Sequence, residues 1–266
     1  MNEDKLWSVL EEKLNVSRYR PQHGAVLDVS AERLVDPNAL AEVLAIYYPL
    51  IGGVDQEAGE VYMARWMINP MMAAIYSLAL HESIPDLSLS NLTAYISKDQ
   101  VVWQLKQQSL LEPGGDVNRL EWSKEMLSAL ISNTVRPLFE AIAVAGTARL
   151  SLLWSQLPTY LIYSCEQLMA CASDEDERNR LAAMYTVMHE LPPSTFGRSS
   201  NPLAVTFQYT ESLTDPCATY RLKYGCCLYY KIEGGEYCYT CPRLKEEDRL
   251  RQRMAYRNPS QASASS

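Results

Sequence analysis

Four cysteines crowd into sixteen positions of the stretch Gly225 to Arg243, GCCLYYKIEGGEYCYTCPR. Cys226 and Cys227 are adjacent, ten residues follow, and then Cys238 and Cys241 stand with two residues between them. Gly234-Gly235 lies between the pairs, and glycine takes positive φ without steric cost. A turn there brings four sulfurs to one place. Thiolates suit soft metals, namely zinc, copper(I) and iron–sulfur clusters, whereas hard cations take oxygen ligands. Structural zinc usually draws on cysteine pairs separated by about two to four residues. Cys238 and Cys241 have that spacing; Cys226 and Cys227 do not. Adjacent side chains point apart in an extended chain, so two neighbouring sulfurs reach one small ion only through an unusual backbone turn. A centre with two irons is a broader target, and four Cys are the ordinary ligands of a [2Fe–2S] cluster. The spacing favours that cluster, with structural zinc as its rival.

The arrangement Cys-Cys, ten residues, Cys, two residues, Cys, followed by Pro242, resembles the C-terminal [2Fe–2S] motif of the FhuF-like ferric-siderophore reductases. The resemblance implies that Cys226, Cys227, Cys238 and Cys241 are the metal and cofactor ligands of a [2Fe–2S] cluster. It further implies a one-electron reduction of Fe(III) chelates, hydroxamates foremost, that releases Fe(II). The partners would then be a ferric siderophore and a separate electron donor of ferredoxin or flavoprotein type. Upstream, only the surroundings of Leu153-Trp154 bear a loose likeness to the family.

The rest of the chain bounds the reading without deciding it. A formal charge of −8 over 266 residues argues against nucleic acid as a partner, because phosphate binding wants a basic surface. The start, MNEDKLWSVLEEKLN, is acidic where a secretory signal has a basic end and an apolar run. That places the chain in the cytosol, free or against a membrane surface. Cysteine clusters in that compartment are more often metal or redox sites than disulfide frameworks. The most apolar long stretch, Val61 to Leu80, is interrupted by Arg65, Asn69 and Pro70, so it reads as buried helix and not as a stable membrane insertion.

Taken in order, the pattern predicts an α+β fold, predominantly helical, with a small antiparallel sheet and a C-terminal iron–sulfur segment. An amphipathic helix covers residues 5–15, and Asp36-Pro37 caps a second that Pro49 and Gly52-Gly53 end. Residues 57–81 form a methionine-rich helix with a break at Pro70, its methionines packing the core. Residues 23–30 are a strand or a connection, and residues 87–105 are two strands around Ser97-Lys98-Asp99. A helix runs from Glu121 towards Pro137, another stops at Gly146, and a long apolar one covers Leu150 to Ala172. The run Asp174-Glu175-Asp176-Glu177 starts a solvated helix. LPPSTFGRSSNP at 191–202 is a linker. It separates a helical docking region, 1–190, from the cluster-bearing segment, 203–257, with a strand alternating through Val205, Phe207 and Tyr209 and a disordered tail at 258–266.

The other candidates for chemistry are weak. Cys165 and Cys171 lie six residues apart on a helix, about 600° of rotation, and so do not share a face. Cys217 belongs to neither cysteine pair and is expected not to ligate. His23, His81 and His189 sit in no metal or triad pattern, and no dinucleotide, phosphate or nucleophile-elbow signature is present. Electrons must therefore come from outside. Tyr220, Tyr224, Tyr229, Tyr230, Tyr237 and Tyr239 crowd the motif, and Arg221, Lys223, Lys231, Arg243 and Lys245 bring positive charge that favours a reduced, more anionic cluster. Two other classes stay open: a zinc-stabilised binding protein, and an iron–sulfur electron-transfer or sensor protein without a siderophore site.

Overall fold

A computed structural model describes residues 3–22 and 24–257. His23 and the tail 258–266 lie outside the described residues. Helices hold 54% of the described residues and strands 11%, which makes the fold α+β with helices dominant.

The first layer is α1 (Glu3–Glu12), which buries Leu6, Trp7 and Leu10, and the short strand β1 (Val16–Ser17). The segment that sequence left between strand and connection contains β2 (Leu27–Ser30), followed by α2 (Ala31–Leu34) and α3 (Pro37–Leu50). Asp36 caps α3 as its sequence predicts, its carboxylate accepting from the Ala39 amide at 2.8 Å, with Pro37 at the first helical position. Asp55 caps α4 (Gln56–Ala64) in the same way, at 3.1 Å from the Ala58 amide. A 3₁₀ turn, Arg65–Met67, then leads into α5 (Ile68–Leu80). The break therefore precedes Pro70, which sits in the first turn of α5, where its missing N–H is an orphan in any case. Nearly all of α5 is buried, and Met63, Met67, Met71 and Met72 are core residues as expected.

After β3 (Ile84–Pro85) comes the predicted hairpin, β4 (Leu92–Ile96) and β5 (Val101–Leu105), closed by the Ser97 amide on the Gln100 carbonyl at 2.9 Å. The main sheet runs β1-β5-β4-β2. Its pairs are antiparallel except β1 with β5, which is parallel, so the sheet is mixed at one edge. β6 (Leu110–Leu111) pairs with β3.

α6 (Arg119–Leu130) does not end at Pro137. It continues through a π turn, Ile131–Val135, into α7 (Arg136–Ala145). Pro137 has no N–H for an i−4 carbonyl, and the wider π turn just before it absorbs the missing bond. The whole helix, Arg119–Ala145, is long and apolar enough to cross a membrane, and half of its apolar window is buried within the fold.

The expected helix at 150–172 is in fact two, α8 (Leu150–Trp154) and α9 (Leu157–Ala170). Pro158 in the first turn of α9 is the reason, since it cannot donate back to Trp154. α10 (Glu175–Glu190) starts on Asp174, which accepts from the Glu177 amide at 2.8 Å. The 191–202 segment is pinned to the body. Phe196 packs edge-on against Trp154 with ring centres 5.5 Å apart, and the Asn201 amide donates to the carbonyls of Met188, His189 and Leu191. The alternating strand starts later than expected, as β7 (Tyr209–Glu211), paired with β8 (Thr219–Arg221). α11 (Glu246–Arg257) closes the described chain. Cys226, Leu228 and Cys241 join the same continuous core as the helices.

Candidate metal centre

The break between α8 and α9 positions the cysteine segment. Gln156, at the junction, donates from Nε2 to the Cys226 carbonyl at 3.1 Å, and Thr159 Oγ1 accepts from the Tyr224 amide at 2.8 Å. Gly225 lies so close to this corner that a Cβ would sit 2.7 Å from the Ser155 carbonyl oxygen. On the far side, Gly52-Gly53 does more than end α3. It forms a bridge to Ile232, with the Glu233 amide on the Gly52 carbonyl at 2.7 Å and the Val54 amide on the Lys231 carbonyl at 2.9 Å. Lys231 Nζ locks this edge by pairing with Asp55 at 2.7 Å and with Glu57.

The unusual turn that adjacent cysteines require is present. Leu228, the residue after Cys227, is left-handed at φ 55 and fully buried. A non-glycine residue pays on the order of 1 kcal/mol for that conformation. In return the chain folds sharply enough for the amides of Leu228 and Tyr229 to reach the sulfurs of Cys226 and Cys227, while the Arg243 amide reaches Cys241.

The four thiols meet as a chain of contacts. Cys241 donates to Cys226 with sulfurs 3.6 Å apart, Cys227 hydrogen-bonds to Cys238, and Cys238 to Cys241. Cys226, Cys227 and Cys241 are buried and Cys238 is partly exposed. The Cys241 hydrogen bond brings the Cys226 thiol down to about 7, against burial and with help from the Leu228 amide and Arg243. The Cys227 thiol is pushed up to about 12 by its bond to Cys238 and by burial, against the charge of Lys223. Among the described residues, no group of three or more His, Cys, Asp or Glu is placed to hold a single metal ion. Four soft donors set in a row, with main-chain N–H groups aimed at three of them, fit a broader cluster whose sulfurs need hydrogen bonds.

Residues 225–243 match the family model of the FhuF 2Fe-2S C-terminal domain. This cysteine segment fits an FhuF-like family. Its cofactor is a [2Fe–2S] cluster, and the family is one of siderophore-iron reductase-like iron–sulfur proteins. The match is confined to this FhuF-like segment, and no curated protein matches the chain.

Of the cations that surround the motif in sequence, Lys223 and Arg243 act on the sulfurs. Lys223 Nζ lies 3.4 Å from Cys227 Sγ, and Arg243 lowers Cys226. Arg221 is committed to a two-pronged pair with Glu166, at 2.7 and 3.0 Å, and Lys231 to Asp55 and Glu57. The tyrosines divide similarly. Tyr230 stacks on Tyr237 at 4.4 Å and Tyr220 meets Tyr239 edge-on, yet Tyr224, Tyr229 and Tyr237 remain largely exposed. Buried Leu228 supplies part of the apolar cover instead. Cys217 is exposed between β7 and β8, Cys165 is buried and Cys171 exposed.

Sequence reasoning missed Arg249. It is 3% exposed, and its guanidinium donates to the carbonyls of Tyr239, Cys241 and Leu244 while pairing with Glu246. Those bonds hold the loop of Cys238 and Cys241 against α11. Its place in a charged, exposed-looking helix, EEDRLRQRMAYR, gave no signal of burial.

Proposed function

We propose that Cys226, Cys227, Cys238 and Cys241 hold the [2Fe–2S] cluster and that the protein is a ferric-siderophore reductase. When bound, the cluster supplies electrons one at a time. Oxygen donors such as hydroxamates hold hard Fe(III) far more strongly than Fe(II), so one electron delivered to the chelate loosens its iron. In each turnover the chelated Fe(III) is reduced to Fe(II), and a ferredoxin- or flavoprotein-type donor replaces the electron. The chain's own residues set the conditions. The amides of Leu228, Tyr229 and Arg243 and the ammonium of Lys223 stabilise negative charge on the sulfurs, Gln156 and Arg249 hold the two cysteine pairs in register, and partly exposed Cys238 marks the side closest to solvent.

The observation that carries this reading is the cysteine segment itself, its four sulfurs gathered within a stretch that matches the family's cluster domain. The test is anaerobic. Protein reduced with dithionite and freed of excess reductant is mixed with a ferric trihydroxamate in the presence of a ferrous chelator. Stoichiometric return of the oxidised spectrum, with one Fe(II) captured per electron lost, is expected. A reduced cluster that ferric chelates leave untouched refutes the reductase and leaves an electron-transfer or sensor protein.

A further inference from the structure

A cavity of about 360 Å³ opens between the 3₁₀ turn Arg65–Met67, the β4–β5 turn and the start of α9. Its walls include Tyr47, Tyr62, Trp66 and Tyr160, with Arg65 and Lys98 also among the lining residues. That volume is within the usual range for small-molecule sites, about 300–1,000 Å³, and the aromatic walls with a few convergent polar groups are their usual lining.

Arg65 is the unusual member. Its guanidinium lies over the Tyr62 ring at 3.5 Å and donates from Nη1 to the Tyr160 hydroxyl at 2.7 Å. Its Nη2 is buried and has no hydrogen-bond partner. Among the described residues no carboxylate pairs with it, although Asp99 also lines the cavity. A guanidinium stays charged in proteins, and a buried donor left unfilled is costly.

The cavity also adjoins the metal centre. Tyr160 follows Thr159, which fixes the amide of Tyr224, and the preceding Lys223 lies on Cys227. Burial weighs against the charge of Arg65, while Tyr160, Tyr62 and then Cys227 sustain it, so the thiol is within electrostatic reach of the cavity wall.

We propose that this cavity docks the substrate, and that the guanidinium charge of Arg65 in its wall binds a metal-bound anionic oxygen of the chelate. The proposal rests on the reductase reading for the identity of the ligand. Tyr62 and Tyr160 hold the guanidinium in place. The protein's net charge of −8 does not attract such ligands from a distance, so this local cation makes the site selective for oxygen-donor chelates and not for cations in general.

Gallium(III) tris-acetohydroxamate is the probe, because it copies the ferric chelate and does not accept an electron. Its binding to the oxidised holoprotein is read by equilibrium dialysis. Arg65→Gln should weaken it by about ten- to a hundredfold, the worth of a hydrogen bond to a charged group, with the cluster's visible bands retained. Gln100→Trp, at an exposed position that lines the cavity, should weaken it comparably and covers the case in which Arg65→Gln does not fold. Wild-type affinity in Gln100→Trp, or in a folded Arg65→Gln, overturns the assignment, as does failure of the wild type to bind gallium hydroxamate. If ferric hydroxamate reoxidises the reduced protein while these variants bind gallium normally, the docking site is wrong and the reductase stands. If it does not reoxidise the protein but gallium binding depends on Arg65, the cavity stands and the reductase falls.

Discussion

Replacing Lys223 with methionine keeps the length of the side chain and removes its charge, and it should make the cluster harder to reduce. The ammonium lies 3.4 Å from Cys227 Sγ and is only partly exposed. At that distance a full unit charge interacts by about 5 kcal/mol at an effective dielectric constant of about 20. The added electron is spread over the whole four-sulfur centre, so roughly a quarter of that, about 1.2 kcal/mol, is lost with the ammonium. For a one-electron couple this corresponds to a midpoint about 50 mV more negative. Lys223→Arg keeps the charge and should restore most of the shift. The assay is an anaerobic redox titration followed by visible absorption, with wild type and both variants at one ionic strength. A midpoint that is unchanged or moves upward in Lys223→Met would refute the argument that this lysine stabilises the reduced state.

Changing Cys226, Cys227, Cys238 or Cys241 to serine should abolish the visible bands of the purified protein, while Cys217→Ser should leave them intact; retained bands in any of the first four would remove that ligand assignment. Arg249→Met should cost about 3 kcal/mol, because three carbonyls lose a charged donor at once, and it should lower the thermal midpoint with early loss of the cluster. His81 is held neutral down to about 4 by burial, aided by nearby Lys5. Its unfolded value is near 6.5, so the unfolded chain binds the extra proton between those limits, and stability should fall as pH drops from about 6.5 to about 4. Allowing for partial exposure, the loss is about 2 kcal/mol, and His81→Gln should flatten that part of the pH profile of the urea midpoint.

What could be read from sequence was mostly local. The cap Asp36, the acidic start of α10, the hairpin around Ser97-Lys98-Asp99 and the grouping of the four cysteines depend on neighbours a few residues away, and each stands where its spacing places it. The failures share a different cause. Pro137 does not end its helix because a π turn absorbs the missing bond, whereas Pro158 splits a helix that looked continuous. At that split Gln156 and Thr159 hold the cysteine segment, a long-range role that no local pattern announces. Arg249 and Arg65 were hidden for the same reason. Each sits in an ordinary helical sequence, and only the folded chain shows one buried against three carbonyls and the other beside a cavity with a donor unfilled. Lys231 and Arg221, conversely, look like cluster cations in sequence but are spent on carboxylates of α4 and α9.

The most direct test of the metal centre is a count of iron, acid-labile sulfide and zinc in protein purified without oxygen, taken with its visible spectrum. Two irons and two sulfides per chain, with charge-transfer bands that bleach on uptake of one electron, are the result expected of four thiolates on a [2Fe–2S] cluster. A colourless protein carrying one zinc and no sulfide would contradict it.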